Sequence, residues 1–171
     1  MLPKVMTLIA RTASREDAPA LARIYNEGID DRLGTFETRH RSAADVEAWF
    51  TGRHPIVAVT SAEGELIAFA STSSYRPREC YAGVAEFSVY VARAHRGHGA
   101  GRVAIDALLA AAVQAGFWKL VSRVFVENTA SRRLLASAGF REVGTYVKHA
   151  RLDGAWRDVV IVERLLPEPP S

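Results

Sequence analysis

At 171 residues, with 49% hydrophobic and 24% charged residues and a formal net charge of +3, the chain has the size and balance of one ordinary globular domain, not of a disordered or fibrous chain. The arginines are spread along the sequence with no basic block, so nucleic acid is not indicated and a small anionic ligand is the better use of the excess charge. The single cysteine, Cys80, excludes an internal disulfide and speaks against a cysteine-based zinc site, which fits a reducing cytoplasm; no window approaches the roughly 20 apolar residues of a membrane span, and the first apolar run is too short for a signal peptide.

In chain order, Leu8 and Ile9 start a short strand. In "SREDAPALARIYNEGI" the pair Ser14 and Asp17 has capping-box spacing, and Ala18, Leu21, Ala22, Ile24 and Tyr25 recur at helical spacing. Ser42 and Asp45 repeat the cap before "VEAWF", a second helix closed by Gly52 and Pro55. Ile56 to Thr60 and Leu66 to Ser73 are β-prone runs joined by "AEGE", a hairpin. A loop, "YRPREC", leads to a strand over Val84 to Val91, and a helix follows from Gly101 to Ala115, ended by Gly116. "FWKLVSRVF" is a fifth strand, Asn128 to Ala138 a helix stopped by Gly139, and Phe140 to His149 and Trp156 to Leu165 a hairpin around "LDGA". The ending "PEPPS", residues 167–171, reads as a frayed tail. The order β-α-α-β-β-β-α-β-α-β-β predicts an α/β or α+β domain, a mixed sheet with helices on its faces.

Between the fourth strand and the third helix lies R-G-x-G-x-G: Arg96, Gly97, Gly99 and Gly101. Glycines accept positive φ and let a ligand approach the backbone, and the unpaired N–H groups of a helix start favour phosphate. The same glycines read alone as a tight turn, and the spacing is wrong for a dinucleotide fingerprint. His95 and His98 lack a third ligand at metal spacing, so no metal is expected, and Trp118, Trp156 and Phe140 read as core aromatics.

"EFSVYVARAHRGHGAGRVAIDALLAAA" followed by "ENTASRRLLASAGFREVG" resembles the GNAT family of N-acetyltransferases over roughly residues 7 to 166. The resemblance implies a mostly antiparallel sheet of about seven strands with four helices, splayed between the fourth and fifth strands. It also implies acetyl-CoA as cosubstrate. Backbone groups of Val89 and Val91 would bind its pantetheine arm, Arg96, Gly97, Gly99, Ala100 and Gly101 its pyrophosphate, and Asn128 and Ser131 its pantetheine or thiol end. Asn128 alone also reads as a plain helix N-cap.

Within the family, "IYNEGIDDRLGTFET", "EFSVYV" and "DGAWRDV" are similar to the phosphinothricin acetyltransferase branch, which acetylates the α-amino group of glutamate-like amino acids. "AFASTSSYRPRECYAGVAEFSVYV" and "AGFWKLVSRVF" are most similar to the arsinothricin N-acetyltransferases. The branch implies Glu86 as general base, where the bland reading is a solvated strand acid. A substrate with two oxyanions needs cations of fork geometry, for which Arg76 and Arg78 are the candidates, beside Tyr75 and Tyr81, with Phe36 as a wall or a core aromatic. Leu135 stands where the branch carries histidine and cannot reprotonate the CoA thiolate; water or Tyr90 is left for that step. Cys80 as an acyl carrier, a non-catalytic acyl-CoA-binding module, and a peptide-acetylating relative are the competing readings. A homodimer is implied by the family.

Overall fold

The computed structural model describes residues 6–168, so the expected tail falls largely outside the described residues. Strands β1 (Leu8–Thr12), β2 (Ile56–Ser61), β3 (Leu66–Ser74), β4 (Val84–Val91), β5 (Lys119–Phe125), β6 (Arg141–Leu152) and β7 (Ala155–Leu165) alternate with helices α1 (Ala18–Asp30), α2 (Ala43–Glu47), α3 (Ala100–Gln114) and α4 (Thr129–Ser137). The order and type of these elements are those predicted, and the strands form one 7-stranded sheet in the order β1-β2-β3-β4-β5-β7-β6.

The sheet is covered on both faces. Val57, Val59, Ile67, Phe87, Leu120 and Val124 meet Ile105 and Leu108 of α3 on one side. Ala58 and Phe69 meet Leu21 and Ile24 of α1 and Val46 of α2 on the other. This double cover explains why β2, "IVAVTS", is buried at every position and shows no polar alternation. Among these contacts Gly28 of α1 is needed for its size: a Cβ there would come within 2.7 Å of the Tyr90 ring.

Every neighbouring pair is antiparallel except β4 and β5, which run parallel and pair only at Val84↔Lys119, Ala85↔Leu120 and Glu86↔Val121. Beyond Glu86 they diverge. β4 stays bonded to β3 as far as Val91↔Ala68, so its other edge faces an opening. Ser122 follows it part of the way, donating to the Phe87 carbonyl at 2.8 Å.

Two expectations are corrected. α2 ends at Glu47, short of the predicted "VEAWF" helix: the chain tightens into i to i+3 hydrogen bonds, Trp49 N–H to the Val46 carbonyl and Phe50 N–H to that of Glu47. Trp49 thereby turns edge-on to Tyr25 at 5.3 Å. Trp118 and Trp156 are half-exposed, at 51% and 49%, while Phe140 is buried against Phe87 as expected. Trp118 lies flat on Gly83, where a Cβ would be 1.9 Å from its ring, and Trp156 is covered by the Arg151 guanidinium at 4.4 Å. Both use flat surface partners in place of the core.

Candidate functional site

The divergence of β4 and β5 opens a cleft of about 550 Å³. Val89 and Val91 on the open edge of β4, the loop residues Arg96, Gly97 and Gly99, Ala100 and Gly101 of α3, and Asn128 and Ser131 at the start of α4 all line it. The structure therefore brings together in one cavity residues that stand up to 42 positions apart in sequence, from Val89 to Ser131.

Its floor at one end is the start of α3. Gly99 is the N-cap with φ +88°, and no side chain caps the helix. The first N–H groups of α3 thus have no intrahelical acceptor and no side-chain substitute, which is the arrangement that receives an external anion. Gly97 has φ +80°, and a Cβ at either glycine would meet nothing within 4 Å, so backbone conformation is what demands glycine there. Gly101 serves differently. It lies within α3, and a Cβ would touch Leu134 at 3.0 Å and Val91 at 3.5 Å, so it sets how closely α3 approaches α4 and β4.

Arg96 stands at the cleft edge with two anchors, Nε donating to the Val91 carbonyl at 3.1 Å and Nη1 paired with Asp31 at 2.7 Å. Asp31 also takes Arg93 at 2.8 Å. Burial works against the charge on Asp31, but hydrogen bonds from Arg93 and then Arg96 hold its carboxyl below the usual value. Asp31 and Arg102, which also line the cleft, are not among the residues singled out from the sequence. The membership of Asp31 follows from the approach of α1 to the glycine loop, across more than sixty positions, and carries no local signal, whereas Arg102 follows Gly101 directly in α3.

Asn128 caps α4, its side-chain oxygen accepting from the Ser131 N–H at 3.2 Å, so the N-cap reading holds. Its amide also donates to the Leu33 carbonyl at 3.2 Å, tying the loop after α1 to the cleft. Leu135 is 2% exposed and belongs to the core as well as the cleft wall. Burial pushes the Tyr90 phenol well above its ordinary value, which makes it a weak proton donor.

Glu86 is the last residue of β4 to pair with β5, beside the cleft and not among its lining residues. Its carboxylate is 3.1 Å from Nη2 of Arg123, a cleft residue two positions beyond Val121 on β5. Arg123 Nη1 is 3.5 Å from His149 Nε2 of β6. Arg123 is also absent from the sequence-based candidates; the signal available was a cation in the interior of the strand "KLVSRVF", between Ser122 and Val124.

The other candidates form a separate group. Tyr75 and Tyr81 meet edge-on at 5.6 Å, and the Arg76 guanidinium lies over Tyr75 at 5.0 Å. Arg78 is exposed where the short 3₁₀ turn Glu79–Tyr81 begins. None of these four lines the cleft; they occupy the loop that enters β4, past the Ser73↔Glu86 pair. Phe36 packs on Phe125 at 4.7 Å in a small cluster with Leu152 and Val159. Cys80 is exposed, and the described residues contain no group of His, Cys, Asp and Glu suited to a metal. Nor does any described helix have the length and apolarity to cross a membrane.

The sequence profile of the acetyltransferase (GNAT) family matches residues 21–140. The chain is 30% identical over 171 residues to the phosphinothricin N-acetyltransferase of Streptomyces coelicolor, covering 96% of this chain and 100% of that protein. It is 30% identical over 162 residues to the L-methionine sulfoximine/L-methionine sulfone acetyltransferase of Pseudomonas aeruginosa, covering 92% and 94%. Among solved structures it is similar to a GNAT superfamily phosphinothricin acetyltransferase from Sinorhizobium meliloti in complex with AcCoA, with TM-score 0.86 and 26% identity over 98% of this chain and 94% of the other.

Proposed function

The chain belongs to the acetyltransferase (GNAT) family and is an acetyl-CoA-dependent N-acetyltransferase, and on that premise we propose that it acetylates the α-amino group of a glutamate-like amino acid with a tetrahedral end group. Phosphinothricin and its arsenic analogue arsinothricin are the substrates meant, and the physiological effect is resistance to them. The observation that carries the reading is the parallel pairing that stops at Glu86↔Val121 and leaves the open edge of β4 running to an uncapped helix start.

The residues present fit acetyl-CoA. N–H groups at the start of α3, opened by Gly97 and Gly99, and the anchored Arg96 suit a pyrophosphate, while Val89 and Val91 offer backbone hydrogen-bonding groups to an amide-bearing arm. When bound, acetyl-CoA supplies an acyl group activated as a thioester. An α-ammonium is not nucleophilic until it loses a proton, and Glu86, a carboxylate at the mouth of the splay, takes that proton directly or through one water. Asn128 and Ser131 orient the cosubstrate's pantetheine end; Phe36, Tyr75, Arg76, Arg78 and Tyr81 hold the far end of the acceptor, with the two arginines facing its oxyanion. Leu135 offers no proton to the departing CoA thiolate, which takes one from solvent.

The test is thiol release from acetyl-CoA across phosphinothricin, arsinothricin, methionine sulfoximine, glutamate and a lysine peptide. Turnover is expected with the amino acids bearing a tetrahedral end group and not with the peptide. Release with the peptide alone would make the chain a protein-modifying relative, and release with none would leave an acyl-CoA-binding module.

The same reading carries a cytoplasmic homodimer. Its support is β6, an edge strand that exposes the apolar side chains of Val143 at 47%, Tyr146 at 52% and Val147 at 70%, surface that a second copy pairing along this edge would cover. Equilibrium sedimentation should return twice the chain mass of 18.7 kDa; a single chain mass throughout the micromolar range would exclude the dimer.

A further inference from the structure

We infer that Arg123 selects free α-amino acids as acceptors, because with Glu86 it forms a paired anion and cation that matches the ammonium and carboxylate of a zwitterion. The inference rests on Glu86 being the group that meets the acceptor amine.

Val121 faces Glu86 across the β4–β5 pair, and Arg123, two residues further along β5, shares that face of the sheet. The cation is reachable as well as fixed: its side chain is 49% exposed and that of Glu86 is 31% exposed. One guanidinium nitrogen, Nη2, spans both carboxylate oxygens of Glu86, at 3.1 and 3.4 Å. His149 is a neighbour on the remaining side, from β6. Arg123 therefore keeps donors in hand for a second anion, and a planar fork of this kind suits a carboxylate.

The spacing fits the ligand. Bond lengths and the tetrahedral angle at Cα put the carboxylate carbon of any α-amino acid about 2.5 Å from its nitrogen. An ammonium seated on Glu86 thus carries its own carboxylate into the reach of a guanidinium that lies one hydrogen-bond length from the same Glu86. Each charge of the zwitterion meets an opposite charge, and no charge is left unpaired in the cleft. A lysine side chain or a peptide amine lacks an adjacent carboxylate and would leave Arg123 competing for Glu86, which is the discriminating element. Arg76 and Arg78, outside the cleft, are then left to the distal oxyanion.

The experiment compares phosphinothricin with its α-carboxamide, which keeps the amine and the distal group and removes the α-charge. The wild-type enzyme should favour the free acid through KM. Arg123→Gln should raise KM for the free acid by about tenfold to a hundredfold, as for loss of one hydrogen bond to a charged group, with a much smaller rise for the amide and a lesser change in kcat. Arg123→Lys should recover part of the loss for the acid. Titration calorimetry of the acid into the enzyme with CoA present should show the same loss without turnover. Equal losses for acid and amide, or a wild-type enzyme indifferent to the α-carboxylate, would overturn the inference while leaving the acetyltransferase reading intact. No CoA release with any amine would instead sink the proposed function itself.

Discussion

Glu86→Gln is expected to lower kcat for the amino-acid acceptor at neutral pH by about two to four orders of magnitude, the span of general base catalysis. Glutamine keeps the size and hydrogen-bonding reach of the side chain but cannot accept a proton. It also weakens the contact to Arg123, so some rise in acceptor KM should accompany the loss. CoA affinity by titration calorimetry should not change, because Glu86 stands beside the cleft and does not line it. Cys80→Ala, removing an exposed thiol, should leave turnover intact. The opposite pattern, a dead Cys80→Ala and an active Glu86→Gln, would require an acyl-enzyme route and exclude direct transfer.

The second large effect concerns the glycine loop. With Gly99 at φ +88°, a valine there adopts a left-handed backbone that costs roughly 1–2 kcal/mol, more for a β-branched side chain, so thermal stability should fall measurably. No neighbour lies within 4 Å, so the strain is conformational and the core is untouched. The new side chain extends over the first turn of α3, where the phosphates of CoA are expected, and affinity for CoA should drop by about one to two orders of magnitude. Dephosphorylated pantetheine, which lacks the pyrophosphate, should bind Gly99→Val about as well as the wild type. Equal weakening for both ligands would mean that the loop acts by shaping the fold and would end the phosphate-cradle reading.

Much of this arrangement was legible before any tertiary contact was known, and the legible parts share a physical cause. Ser42 with Asp45, Gly99 before an alanine-rich helix, Asn128 three residues before Ser131, and the glycines that end α3 and α4 act within one turn of chain. Hydrogen-bond caps and positive φ are decided by neighbouring residues, so their signals survive in the bare sequence. The short α2 and the half-exposed Trp118 and Trp156 were not legible in this way, because an aromatic residue buries itself against whatever flat partner the fold provides.

The sequence by itself determined the order and type of the elements and the conformation of the glycine loop, both consequences of local propensity and period. Only the tertiary structure decided that β4 and β5 part company after Glu86, that Asp31 holds Arg96, and that Arg123 rather than Arg76 or Arg78 stands beside Glu86. The Glu86–Arg123 contact joins positions 37 residues apart. Its existence depends on the register of one parallel pair, and a slip of a single residue would turn Arg123 to the opposite face of the sheet.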